Sequence, residues 1–215
     1  MAAERGNLFV IPAPAGAGKT TLTKRLGERL GWQTGYESVQ DNPFLSDFYG
    51  DMAQWGFHLQ IFFLGHRAEQ HNTLFHSPHS AISDRSIYED AHIFARVLNH
   101  LGSMPDRDYE AYKSVYELVI AGLPRPDLLL YLDCPVDVLI ERIKQRGREM
   151  ESGITAEYLS TLDRFYTDWI TDFDLCPVVT IPSKDLNFVN REDHLDIVVE
   201  HIESRLAGKD NVVFP

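Results

Sequence analysis

The chain of 215 residues, with a hydrophobic content of 44%, is long enough to bury the core of one sizeable globular domain. Its 20 basic and 32 acidic residues give a net charge of −12, which argues against a general nucleic-acid binder, since such proteins present a basic face. The two cysteines, Cys134 and Cys176, lack metal-ligand spacing and are expected to be free thiols. No signal-peptide pattern is present, so we expect one cytoplasmic domain over residues 1–215.

Short apolar runs alternate with helical patterns along the chain, which is typical of βαβ units. The predicted strands are residues 8–11, 35–37, 80–83, 127–133 and 178–181. The predicted helices are residues 18–30, 53–75, 86–99, 106–121, 136–146, 155–172 and 192–206. This alternation predicts an α/β fold in which helices flank a five-stranded parallel sheet.

The first strand runs into a loop of small residues that opens a helix, the context of a phosphate-binding P-loop. The loop and helix start consist of Ala15, Gly16, Ala17, Gly18, Lys19, Thr20 and Thr21. Their backbone N–H groups and the helix N-terminus would bind phosphates. Lys19 would reach the β- and γ-phosphates of ATP, and Thr20 would hold Mg²⁺. Ala13 stands where the full motif has glycine, and a glycine-rich helix start with a chance Lys-Thr pair is the alternative. The motif predicts a P-loop NTPase fold.

Two acidic residues follow predicted strands at the sheet edge where ligands bind in open α/β folds. Glu37 could accept a proton from an attacking hydroxyl, and an N-cap or surface acid is an equal alternative. Asp84 is placed to bind Mg²⁺, and Arg85 to hold a hydroxyl or phosphate oxygen. A helix cap with a salt bridge is the alternative for the pair Asp84 and Arg85.

Three arginines cluster around a glycine. Arg142 and Arg146 are four residues apart on one helical face, and Arg148 follows Gly147. Cations beside a glycine hinge suit a small lid, about residues 144–154, that stabilises charge on a transferring phosphoryl group. The alternative is a solvated basic helix end.

The P-loop, Glu37, the sequence Asp84-Arg85-Ser86 and the arginine cluster occur in an order and at spacings that resemble the deoxynucleoside kinase family. The resemblance covers about residues 8–185 and is closest in type to bacterial deoxyadenosine/deoxyguanosine kinases. It implies phosphorylation of a deoxyribonucleoside 5′-hydroxyl by ATP with Mg²⁺. A purine deoxynucleoside is favoured, and a deoxycytidine-preferring or broad-specificity kinase is the alternative.

The resemblance also implies individual roles. Glu37 would be the general base for the 5′-hydroxyl and Arg85 would bind that hydroxyl, while Lys19 and the three lid arginines offset phosphoryl charge. The implied contacts are Tyr49 and Glu151 with the sugar 3′-hydroxyl, Gln60, Arg67, Asp90 and Phe94 with the base, and Asp185 with the adenine of ATP.

Two other functions stay open at this point. A non-catalytic structural subunit of the same fold would be expected to lose Glu37, Lys19 or the lid arginines, all of which this chain keeps. A nucleoside monophosphate kinase needs extra cations for the acceptor phosphate, and the predicted acceptor helix offers only Arg67 beside three histidines.

The helices predicted at residues 53–75 and 86–99 carry more apolar side chains than one sheet face can cover. If the base-pocket residues face a substrate, these side chains cannot all point inward: Trp55, Phe62, Phe63, Ile93 and Val97. Because an exposed apolar stripe favours association, we predict a homodimer built from these two helices, as the resemblance also implies. The alternative is a monomer whose stripe is covered by helix 106–121.

Overall fold

A computed structural model describes residues 6–36, 42–148 and 154–208 of the chain. Its strands form one five-stranded sheet in the order β2-β3-β1-β4-β5. Every strand pair in this described part is parallel. The strands are β1 (Leu8–Ile11), β2 (Gln33–Gly35), β3 (Ala81–Asp84), β4 (Leu128–Asp133) and β5 (Val178–Pro182). The α/β fold and the parallel sheet predicted from the alternating pattern are confirmed.

Helices pack around this sheet. They are α1 (Lys19–Leu30), α2 (Leu45–Gly50), α3 (Met52–Phe75), α4 (Arg96–His100), α5 (Asp106–Gly122), α6 (Val136–Arg146), α7 (Ala156–Asp172) and α8 (Glu192–Leu206), with a π-helix at Asp90–Ala95. None of the described helices is long and apolar enough to cross a membrane.

The central strands are apolar along their whole length because helices cover both of their faces. All four residues of β1 are buried, and so is the run Leu128–Leu132 of β4. The register pairs Ile11 at the end of β1 with Asp84 at the end of β3. The P-loop and the Asp84-Arg85-Ser86 segment therefore leave the sheet side by side.

The edge strand β2 lies at residues 33–35, two residues before its predicted position. Trp32 stacks flat on Phe9 of β1, with ring centroids 4.2 Å apart, and this contact brings the chain onto the sheet earlier than the apolar pattern indicates. Gly35 is required there, since a Cβ would come within 2.6 Å of a methyl of Leu74. The short helix α2 was not predicted.

The predicted helix 86–99 is wrong as a single regular α-helix. The chain turns at residues 86–89, forms the π-helix Asp90–Ala95 and becomes α-helical only in α4. A π-helix widens the helical turn and is frequently found at functional sites. Here it carries Asp90 and Phe94, two residues expected to contact the base.

The apolar stripe proposed for the dimer is also partly wrong. Ile93 is fully buried and Val97 is 1% exposed, because the π-helix and α4 pack against α3, α5 and α7 of the same chain. Trp55, Phe62 and Phe63 on α3 are half-buried. The apolar side chains Ile93 and Val97 of the predicted helix 86–99 are therefore buried within the chain, partly by α5, as in the monomer alternative.

Candidate active site

The loop after β1 has P-loop geometry. Gly16 and Gly18 have φ angles of 86° and 102°, the left-handed region that glycine adopts at low cost. A Cβ on Gly16 would lie 3.1 Å from the Leu139 carbonyl oxygen, so this glycine is also needed for the close approach of α6. Lys19 Nζ donates to the carbonyl oxygens of Ala13 and Pro14, at 2.8 and 2.9 Å, and so lies across the loop.

The predicted metal residues meet at the carboxyl ends of β1 and β3. Thr20 Oγ1 donates to Asp84 Oδ2 at 2.5 Å. A hydroxyl and a carboxylate are the hard oxygen ligands that Mg²⁺ prefers when phosphates supply further oxygens. In the described ranges, no group of three or more His, Cys, Asp or Glu side chains is arranged to hold a metal ion. A metal at the predicted residues Thr20 and Asp84 would therefore need further oxygen ligands, such as those of a nucleotide phosphate.

Arg85 follows β3 in a strained conformation. Its φ of 96° makes it the one non-glycine residue with positive φ in the described part of the chain. Such a conformation costs about 1–3 kcal/mol and recurs at functional sites. The backbone is held by a hydrogen bond from Arg85 N–H to the Ile11 carbonyl oxygen, at 3.2 Å. The guanidinium carbon lies 4.6 Å from the centroid of Phe94, so the cation lies against a ring that is predicted to contact the base.

A buried polar cluster joins α3 to the π-helix. Arg67 and Asp90 form an ion pair, and their side chains are 8% and 0% exposed. Gln60 also lies on α3, seven residues before Arg67, and is 5% exposed. Its Oε1 receives no hydrogen bond from the described residues. Burying an amide oxygen without a donor is unfavourable, so Gln60 is suited to a ligand that supplies one. Phe94 packs between the guanidiniums of Arg67 and Arg85.

Tyr49 lies on α2 and is 46% exposed, near Tyr158 of α7. Burial raises the pKa of Tyr158, the charge of Tyr49 raises it further, and Arg85 lowers it. Tyr158 is therefore close enough to a predicted sugar residue and to a predicted hydroxyl-binding arginine for both to influence its pKa. The sequence carried no signal for this residue, since an aromatic side chain on a helix is ordinarily part of the core.

Asp185, the residue predicted to contact the adenine of ATP, lies in the segment after β5, which contacts α6 and the P-loop. The Arg142 guanidinium donates hydrogen bonds to the hydroxyl of Ser183 at 3.2 Å and to the carbonyl oxygen of Ser183 at 2.7 Å. Asp185 is exposed two residues further on. Phe188 is buried, and its ring would lie 3.2 Å from a Cβ on Gly18. Arg142 thus ties the segment to α6, and Phe188 packs against the P-loop.

Glu37, Glu151 and most of the predicted lid lie outside the described residues, and their roles stay predictions. The helix α6 ends at Arg146, and Gly147 caps it with a φ of 63°. Arg146 and Arg148 are exposed at this end. The structure therefore brings Arg142 together with the segment after β5, and leaves Arg146 and Arg148 exposed beside the region predicted to be the lid.

A family model described as deoxynucleoside kinase matches residues 9–207. The chain belongs to the deoxynucleoside kinase family. A deoxyadenosine/deoxycytidine kinase of Bacillus subtilis is 38% identical over 202 residues, 93% of this chain and 93% of that protein. A deoxyguanosine kinase of Lactobacillus acidophilus is 34% identical over 93% of this chain and 90% of that protein.

A solved structure has the same fold. The deoxyadenosine kinase of M. mycoides with bound dATP superposes with a TM-score of 0.78 at 27% identity, covering 92% of this chain and all of that one. The resemblance read from the motifs, the P-loop NTPase fold and the assignment as a deoxynucleoside kinase are confirmed.

Proposed function

We propose that this deoxynucleoside kinase transfers the γ-phosphoryl group of ATP to the 5′-hydroxyl of a purine deoxynucleoside. The observation that supports the purine assignment is the buried cluster of Gln60, Arg67 and Asp90. Gln60 can make paired amide hydrogen bonds to a base, and an Arg–Asp pair beside it offers both donors and acceptors to an amino-bearing base edge. Similarity to kinases named for deoxyadenosine and deoxyguanosine supports the same class.

Deoxycytidine is the second candidate for the acceptor. Cytosine also carries an amino group, which could donate a hydrogen bond to an oxygen of the same cluster. The similar Bacillus subtilis protein is named for deoxyadenosine and deoxycytidine. A nucleoside monophosphate fits less well, because Arg67 is already paired with Asp90 and is not available for an acceptor phosphate.

The mechanism follows from the placement of the charged groups. Lys19 and the loop N–H groups would hold the β- and γ-phosphates, while Arg85 would orient the 5′-hydroxyl and Glu37 would take its proton. Mg²⁺, when bound at Thr20 and Asp84, supplies charge neutralisation on the phosphate oxygens. Arg146 and Arg148 would add positive charge from the lid as the phosphoryl group transfers.

A coupled assay of the purified protein with ATP and each of the four deoxynucleosides tests the proposal. We expect the highest kcat/KM with deoxyadenosine or deoxyguanosine, and a product phosphorylated at the 5′ position. The variant Lys19→Ala serves as the control for contaminating kinases. A deoxycytidine or thymidine preference would overturn the purine assignment, and inactivity with all four would overturn the proposed reaction.

Removing the Asp84 carboxylate tests the metal site. We expect Asp84→Asn to raise the Mg²⁺ concentration needed for half-maximal activity by about 10- to 100-fold, the usual effect of losing a group that supports a bound metal. Titrating activity against free Mg²⁺ measures the shift. Asp133→Asn, at the exposed end of the neighbouring strand β4, is the control. An unchanged Mg²⁺ requirement in Asp84→Asn would show that Asp84 does not serve the metal.

A homodimer stays a prediction, with a revised surface. On α5, Val115 and Leu118 are 45% and 77% exposed, and Ala111 and Gly122 share their outward face. Because α5 packs against α3, this face and the half-buried aromatic face of α3 belong to neighbouring helices that a second copy could cover. The predicted cytoplasmic location and the single kinase domain over residues 1–215 likewise stay proposals.

Light scattering at micromolar concentration tests the dimer. We expect a mass near twice the single-chain 24.6 kDa, and a shift toward the single-chain mass in Leu118→Asp. Leu101→Asp is the control, since Leu101 is 51% exposed and follows α4, outside α3 and α5. A wild-type mass of one chain contradicts the prediction.

A further inference from the structure

A buried carboxylate lies directly behind Arg85. Glu89 is completely buried, and both of its oxygens are engaged. Oε1 accepts the backbone N–H of Ser86 at 3.0 Å and lies 3.7 Å from Nη1 of Arg85. Oε2 accepts a hydrogen bond from the hydroxyl of Tyr166. Burying a carboxylate is costly unless it is paired and hydrogen-bonded, so this arrangement defines one position for each partner.

Tyr166 is the partner contributed by a different part of the fold. It lies on α7, is fully buried, and stacks on Tyr131 of β4 with ring centroids 5.8 Å apart. Burial raises the pKa of Tyr166 well above its usual value, and the neighbouring Glu89 raises it further. The hydroxyl therefore keeps its proton and acts as the donor to Glu89. The helix α7 begins at Ala156, just after the predicted lid.

Glu89 also controls the strained backbone. Arg85 has a φ of 96°, and the hydrogen bonds on either side of that φ hold it in place. The N–H of Arg85 donates to Ile11, and the N–H of Ser86 donates to Glu89. Without the second hydrogen bond, the turn could relax toward the ordinary negative φ, which would swing the Arg85 guanidinium away from Phe94.

We propose that Glu89 and Tyr166 are positioning residues that fix Arg85 for the phosphoryl transfer and tie its turn to helix α7. The proposal rests on the proposed kinase function, in which Arg85 orients the acceptor hydroxyl. Neither residue needs to touch the substrate. Glu89 sets the backbone and the guanidinium, and Tyr166 sets Glu89. Because α7 follows the lid, the contact also links the lid's attachment point to the acceptor side of the site.

Removing only the Tyr166 hydroxyl tests the proposal. Tyr166→Phe keeps the ring packed on Tyr131, so we expect a soluble enzyme whose kcat falls about 10-fold, the scale of loss from a small misplacement of a catalytic group. KM for ATP should stay within about twofold, because the P-loop is untouched. Tyr116→Phe is the matched control: Tyr116 is also buried and donates its hydroxyl to a carbonyl oxygen, that of Tyr88. It should leave kcat near wild type.

A double-mutant comparison separates positioning from a general structural role. In an Arg85→Lys background, Tyr166→Phe should change kcat by less than about twofold, since the group that it positions is gone. Glu89→Gln, which keeps the side-chain volume and removes the charge, should show the same loss and the same non-additivity. A full, additive loss in the Arg85→Lys background, or wild-type kcat in both single variants, would overturn the proposal.

The outcomes distinguish this inference from the proposed function. If the wild type phosphorylates no deoxynucleoside, the proposed function fails, and the positioning role that rests on it fails too. If the wild type is active and Tyr166→Phe behaves like Tyr116→Phe, the function stands and the positioning role is wrong.

Discussion

Glu37→Gln is expected to lower kcat by about 10²- to 10⁴-fold while leaving the binding of ATP and nucleoside near normal, the usual size of general-base catalysis. Glutamine keeps the shape and hydrogen-bonding capacity of the side chain but cannot take the proton of the 5′-hydroxyl. Glu37 follows β2, whose last residue Gly35 pairs with Ser83, the neighbour of Asp84. The carboxyl end of β2 therefore lies at the same edge of the sheet as Asp84, and Glu37 is two residues beyond it in the sequence.

Glu69→Gln is the control for this experiment, since Glu69 is an exposed carboxylate on α3 and the substitution changes the net charge equally. Steady-state kinetics with saturating ATP and binding measured by calorimetry separate catalysis from affinity. If Glu37→Gln keeps more than about a tenth of the wild-type kcat, Glu37 is not the base.

The sheet could be predicted because its central strands are buried on both faces and therefore appear as unbroken apolar runs. The run Leu128–Leu132 needed no tertiary information to be recognised as a strand. The position predicted for the edge strand β2 was two residues off because two of its three residues are not buried. Its position depends on the contact between Trp32 and Phe9. Short edge elements take their limits from tertiary packing that no local pattern contains.

Candidate site residues that belong to strong local motifs could also be predicted. The structure brings Thr20 of the P-loop motif together with Asp84, as a shared metal site would require. The supporting residues could not. Glu89 and Tyr166 are 77 positions apart in sequence, and each has an ordinary local explanation, a helix-start acid and a core aromatic. The π-helix was missed for a similar reason, because its six residues have the composition of an α-helix. The π-helix carries Asp90, whose carboxylate forms a buried ion pair with Arg67 of α3.

The buried ion pair of Arg67 and Asp90 gives the second large expected effect. Arg67→Met alone should lower the free energy of unfolding by about 3–5 kcal/mol, since it leaves the Asp90 carboxylate buried with its cation removed. Asp90 is fully buried, so solvent cannot replace the lost partner. Chemical denaturation of wild type and variant measures the difference. Arg29→Met is the matched control: Arg29 and Asp196 also form an Arg–Asp pair, but they are 55% and 49% exposed, and surface pairs contribute little.

Replacing both partners should restore stability and change specificity. Arg67→Met with Asp90→Ala removes both buried charges, so most of the lost free energy of unfolding should return. The base pocket would then lack the polar pair and have space for the thymine methyl group. We expect the kcat/KM ratio of purine or cytosine deoxynucleosides to thymidine to fall by about 100-fold or more, because buried polar groups discriminate strongly against substrates that cannot pair with them. A stable double variant with an unchanged substrate ranking would show that the pair supports the fold and does not contact the base, and the purine assignment would then lose the support of this pair.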